Sequence, residues 1–113
     1  MIAVNLRTGK ELATNVRVAD NIFTRMKGLL GKKELPKGAA LWIKPCFSVH
    51  TFFMKFPIDV IFLNKNHLVI AAITDLYPNR LTRIYPQSFG VLELPSGTIA
   101  ATNTEVGDEI KIA

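Results

Sequence analysis

The sequence predicts a mainly β domain on the margin of the α+β class, and three observations lead there. Stretches rich in β-branched and aromatic residues recur from "IAVNL" at Ile2 to "EIKI" at Glu109, and such side chains favour a pleated, half-buried surface. Between them stand short segments with Gly, Asn or Pro that turn the chain. Only the stretch near residues 20–30 spaces its apolar residues as a short amphipathic helix does.

In chain order, "IAVNL" and "ELATNVRVA" flank the turn segment "RTGK", which predicts a first hairpin. "DNIFTRMKGLLG" then places Ile22, Phe23, Met26, Leu29 and Leu30 at helical spacing, with Asp20 as N-cap and Gly31 as the C-terminal stop. Gly28 inside that helix costs about 1 kcal/mol relative to alanine, which asks for either a close approach there or a shorter helix. After "KKELPKG", the apolar run "AALWI" and the aromatic-rich "FSVHTFFM" predict two strands. "IDVIFL" and "LVIAAITDL" flank "NKNH" and read as a central hairpin, whose almost unbroken apolar character implies burial on both faces. "FGVLEL" predicts a strand, "GTIAATN" a second helical turn near residues 97–103, and "EIKI" a closing strand after the turn "EVGD". With no internal repeat or linker, residues 1–113 are expected to form one domain.

Hydrophobic residues at 49% and charged residues at 20%, without a Ser/Gly/Pro tract or charged tail, describe a folded chain rather than a disordered one. The N-terminal stretch meets charge after a handful of apolar residues, which argues against a signal peptide and against a membrane span there. The lone cysteine allows no internal disulfide, and the two observations together predict a cytoplasmic protein. A net charge of +5 raises the question of nucleic acid. Yet only Lys32 and Lys33 are adjacent, and no finger, basic helix or RNA-reading aromatic motif occurs, so no specific nucleic acid is expected as a partner.

The chemistry-bearing residues gather in "CFSVHTFFMKFPIDVIFL", Cys46 to Leu63. Cys46 and His50 offer a nucleophile and a base, but on a straight strand they would stand about 13 Å apart. A direct dyad therefore requires Pro45 to Ser48 to bend back, or Asp59 to orient His50. Cys46, His50 and Met54 are also a ligand set that suits a soft metal such as copper. The same spacing separates them, and no CxxC or HxxxH supports zinc, so neither metal nor cofactor is expected; His67, in a turn segment, is expected to be exposed. Without such chemistry Cys46 is a small buried hydrophobe and His50 a core-edge histidine.

Asp59 in "PIDVIF" and Glu93 in "VLELP" each interrupt an apolar strand, and buried charge is costly without partners. Candidate partners are Arg25, Arg80, Arg83, the Thr51 hydroxyl and backbone N–H groups at a turn. Such carboxylates either tie a loop or helix to the rim of a barrel or, near His50, line a polar pocket for a cationic or hydrogen-bonding ligand.

Four motifs in this order, "RMKGLLG", "HTFFMKFPIDVIFL", "VLELPSG" and "VGDEIKI", resemble the family called domain of unknown function 192, over roughly Ile2 to Ile112. The resemblance implies a small, β-rich, barrel-like fold with one or two short helices. It carries the family pattern onto Arg25, Gly28, Leu29, His50, Thr51, Met54 and Asp59, and then onto Leu92, Glu93, Pro95, Gly97, Gly107 and Asp108. Cys46 matches only the members with a "C...HTFFM" form of the central motif, so chemistry common to the family would rest on Met54, Asp59 and Glu93 rather than on the thiol.

The expected function is that of a binding module, in which Arg25, His50, Thr51, Met54, Asp59 and Glu93 hold a small ligand or protein segment. The chain is expected to be a monomer or weak homodimer. The alternatives are a small enzyme using His50 or Cys46 with Asp59, and a structural or assembly protein built on the apolar hairpin.

Overall fold

The computed structural model describes residues 1–29 and 31–113, and the side chains of Ile22, Phe23 and Met26 fall outside the description. The chain forms two β-sheets. β1 (Ala3–Asn5), β2 (Glu11–Ala13) and β8 (Ile110–Ile112) make an antiparallel sheet in the order β2-β1-β8. β3 (Asn15–Ala19), β4 (Ala39–Ile43), β5 (Ile58–Leu63), β6 (Val69–Leu76) and β7 (Gly90–Pro95) make the second, in the order β3-β4-β7-β5-β6. Within it β3 runs parallel to β4, and the other neighbours are antiparallel.

The β-rich expectation holds, and its barrel-like form is two packed sheets rather than one closed ring. "ELATNVRVA" is the reason. It was expected as one strand, but it breaks at Thr14, so that β2 stays with β1 while β3 crosses to the larger sheet, where the N–H groups of Thr14 and Asn15 both donate to the Gly38 carbonyl.

Register fixes which side chains share a face, because residues paired across a ladder point the same way. Asp59 pairs with Leu94, Val60 with Glu93, Ile61 with Leu92, and Leu41 with Glu93. One face of the large sheet therefore carries Trp42, Asp59, Ile61, Leu63, Leu92 and Leu94, packed on Leu12 and Ile110 of the small sheet. The other carries Leu41, Ile58, Val60, Phe62, Val91 and Glu93, covered by Leu29, Val49 and Met54 from outside the sheet. All six residues of β5 are buried, each apolar side chain worth about 2 kcal/mol in transfer free energy. β6 was expected to match it but is mostly half-exposed, because it lies at the sheet edge. Gly90 permits one close approach: a Cβ there would lie 2.5 Å from the Trp42 ring and 2.9 Å from the Ile43 carbonyl oxygen.

The first helix, α1 (Ile22–Lys27), is shorter than expected. Asn21, not Asp20, is its N-cap: the Asn21 side chain accepts from the Thr24 N–H at 2.9 Å, and the Thr24 hydroxyl accepts from the Asn21 N–H at 3.3 Å. Gly28 ends it with φ 47°, three residues before Gly31. Leu29 is buried, whereas the expected apolar contacts of Ile22, Phe23, Met26 and Leu30 lie outside the described residues. The second helix, α2 (Thr98–Thr102), falls where the sequence predicts.

"FSVHTFFM" is not a strand. Pro45 and Pro57 bracket it and lack the N–H groups a ladder needs, and the chain turns at Phe53, where φ is 66°. It runs instead as a loop beside residues 77–89: the N–H of Tyr85 donates to Phe47, that of Thr82 to Val49, and that of Thr51 to Arg80. His67 is another correction. It is half-buried, edge-on to Trp42 at 5.5 Å, with Nδ1 3.2 Å from the Ile110 carbonyl oxygen.

Candidate functional site

A pocket of about 150 Å³ lies on the Glu93 face, between the end of α1 and the loop 44–57. Glu93 reaches it from β7, Arg25 and Lys27 from α1, and Cys46, His50 and Met54 from the loop. Leu29, Ile43 and Val49 supply apolar wall. The chain bends at Lys44, Pro45 and Phe47, and Cys46 and His50 both line this pocket.

Glu93 is 4% exposed, and no described group donates a hydrogen bond to its carboxyl, while its sheet neighbours are Leu41 and Val60. Burial pushes its pKa up to about 7, because the charged form loses its hydration. The Cys46 thiol is also pushed up, first by burial and then by the nearby Glu93 charge, with Arg25 acting the other way. That thiol donates to the Ser48 carbonyl at 3.1 Å, and the His50 ring stacks on Phe52 with centroids 5.3 Å apart. Among the described hydrogen bonds, none joins the Cys46 thiol to the His50 ring.

Asp59 and Thr51 lie away from this pocket. Asp59 is completely buried on the opposite face of the sheet, where Oδ1 accepts from the Asp75 N–H at 3.0 Å and Oδ2 from the Ile99 N–H at 2.9 Å. Its two bonds hold the irregularity between Val60 and Ile58 in the β5–β6 ladder and the start of α2. Of the partners expected for it, backbone N–H groups are the ones used, though they come from β6 and the start of α2 rather than from a turn. The Thr51 hydroxyl donates to the Tyr77 carbonyl at 2.6 Å and accepts from the Arg80 N–H at 2.9 Å, which clamps loop 77–89. Asp108 anchors the other end of the molecule: it accepts from Asn5 Nδ2, Arg7 Nε and the Glu105 N–H, and the Arg7 bond holds its carboxyl well below the usual range.

Arg25, His50, Met54 and Glu93 thus come together with Cys46, and Asp59 and Thr51 do not join them. Lys27 and Val49 went unnoticed in the sequence, although "RMKGLLG" contains Lys27 and only the folding of the loop over Glu93 gives Val49 its place. Among the described residues, no group of three or more His, Cys, Asp or Glu side chains is placed to hold a metal ion. No helix among them is long and apolar enough to cross a membrane.

Two packed sheets with a carboxyl-floored pocket under irregular loops describe a class of small β-rich domain. The chain belongs to the DUF192 family, described as an uncharacterized ACR, whose model matches residues 4–112. A UPF0127 protein of Pyrococcus furiosus is 37% identical over 113 residues, covering 96% of this chain and 95% of that one. Another, from Thermococcus sibiricus, is 36% identical over 115 residues, covering 95% and 71%. The same fold occurs in a crystal structure of a protein of unknown function from Novosphingobium aromaticivorans, with a TM-score of 0.85 at 19% identity over 98% of this chain and 83% of that one. The family has no established biochemical function.

Proposed function

We propose that this chain is a one-domain binding module, cytoplasmic and monomeric or weakly dimeric, whose Glu93 pocket captures a small ligand or the end of a protein segment. The carrying observation is the Glu93 carboxyl, buried yet open to a pocket and without a described hydrogen-bond donor. A carboxyl in so little water binds a donor more strongly than an exposed one does, and a ligand's N–H group supplies such a donor. Leu29, Ile43 and Val49 would receive the apolar part of that ligand. The volume matches a group about the size of a benzene ring. Arg25 and Lys27 stand beside the pocket and favour an acceptor or anion elsewhere on the ligand. The enzyme alternative built on Asp59 finds no support, since Asp59 spends both oxygens on backbone N–H groups across the sheet.

Titration with benzamidine and with acetamide, followed through backbone amide NMR shifts, tests this reading. Saturable shifts at Cys46, His50 and Glu93, lost in Glu93→Gln, are the expected outcome. Shifts that Glu93→Gln leaves intact, or none with either probe, would reject a Glu93-centred pocket.

A further inference from the structure

The loops that roof the pocket carry a second feature. Residues 44–57 and 77–89 run side by side, joined by the His50–Leu81 bridge and the backbone bonds from Tyr85, Thr82 and Thr51. Their outward side chains include Phe47, Phe52, Phe53, Tyr77, Leu81 and Ile84, all exposed. Phe53 is 84% exposed at a turn where φ is 66°. A bulky apolar residue gains nothing there from burial, and the left-handed backbone costs it energy. Folding therefore does not explain Phe53.

Charge is distributed as unevenly. The two loops contain Lys44, Lys55, Arg80 and Arg83 and no Asp or Glu. They account for four of the five excess positive charges of the chain, leaving ten basic against nine acidic residues elsewhere. Arg83 lies over the Tyr85 ring, 5.0 Å from its centroid, which holds the guanidinium against the 77–89 loop.

We infer that this aromatic and basic loop face docks on an anionic phospholipid surface, with Phe53 and Ile84 entering the acyl boundary and the four cations meeting the headgroups. Apolar insertion and headgroup attraction act together in such contacts, and each cation near an anionic leaflet adds about 1 kcal/mol. A second copy of the chain fits less well, because a twofold contact would set this all-cationic face against itself. Single-stranded nucleic acid fits less well too, because Leu81 and Ile84 have no face on which a base can stack.

Co-sedimentation of the intact protein with vesicles of phosphatidylcholine, alone or mixed with phosphatidylglycerol, tests the inference. Binding should be at least roughly tenfold tighter to the mixed vesicles and weaken with salt. Phe53→Asn relieves the positive φ, since asparagine tolerates it, so this variant should keep the wild-type Tm while losing vesicle binding roughly tenfold or more. Arg80→Gln with Arg83→Gln should lose a similar factor. Equal uptake by both vesicle types, uptake by neither, or mixed-vesicle binding that Phe53→Asn retains would overturn the proposal. So would a solution dimer, or binding of an oligonucleotide, that Phe53→Asn abolishes, since either would give the face to another partner.

Discussion

Asp59 and Glu93 sit one ladder position apart on adjacent strands, and the two faces of the sheet give them opposite circumstances. On the small-sheet side, Asp59 is fully buried with a backbone N–H on each oxygen. On the loop side, Glu93 is nearly as buried and has no such described donor, only a pocket before it. The same carboxyl chemistry is therefore a clasp on one face and, in the function proposed above, a binding group on the other. Burial alone does not separate them; what the next layer offers does.

The largest effect expected from this comparison is the loss of the clasp. Asp59→Asn keeps the shape but replaces a charged acceptor of two N–H groups by one acceptor and one donor that faces an N–H. The cost should be about 4 kcal/mol in urea denaturation, and a loss below about 1 kcal/mol would mean that α2 and the bulge are held by something else.

Glu93→Gln should act in the other direction, and its sign depends on pH. Burial raises the folded-state pKa to about 7 from an ordinary 4.5, so between those values the folded chain keeps a proton that the unfolded chain releases. Stability from this group is thus full below pH 4.5 and falls as pH rises through 7. At pH 8 the variant should be more stable than wild type by up to about 3 kcal/mol, an advantage that disappears at pH 4.5. A variant that is equally destabilised at both pH values would make Glu93 another clasp.

The smallest expected effect concerns Cys46. With its thiol raised by burial, alkylation at pH 7 should be slower in the folded protein than in denatured chain, and His50→Ala should leave the rate unchanged. Fast labelling that depends on His50 would restore an activated thiolate to the pocket.

The elements legible in the sequence are those whose patterns match local rules. "IDVIFL" became β5 and "GTIAATN" became α2, because a compact apolar run and a stretch closed by Asn103 in the left-handed region each specify their own geometry. "FSVHTFFM" misled because its aromatic and β-branched residues look like a strand, while the bracketing prolines and the turn at Phe53 make it a loop. Asp59 and Glu93 were both marked as anomalous, yet no local rule states which face of which strand they occupy.

The composition, the periodicity of the runs and the four ordered motifs determined a small β-rich fold, two short helices and the family of the chain. Tertiary structure alone decided that Glu93 meets Arg25, Cys46 and His50, that Asp59 does not, and that the two loops carrying Lys44, Lys55, Arg80 and Arg83 run side by side. The physical reason is register: a strand turns each successive side chain to the opposite face, and the pairing partners that set it lie distant in the chain, Asp59 with Leu94 and Val60 with Glu93.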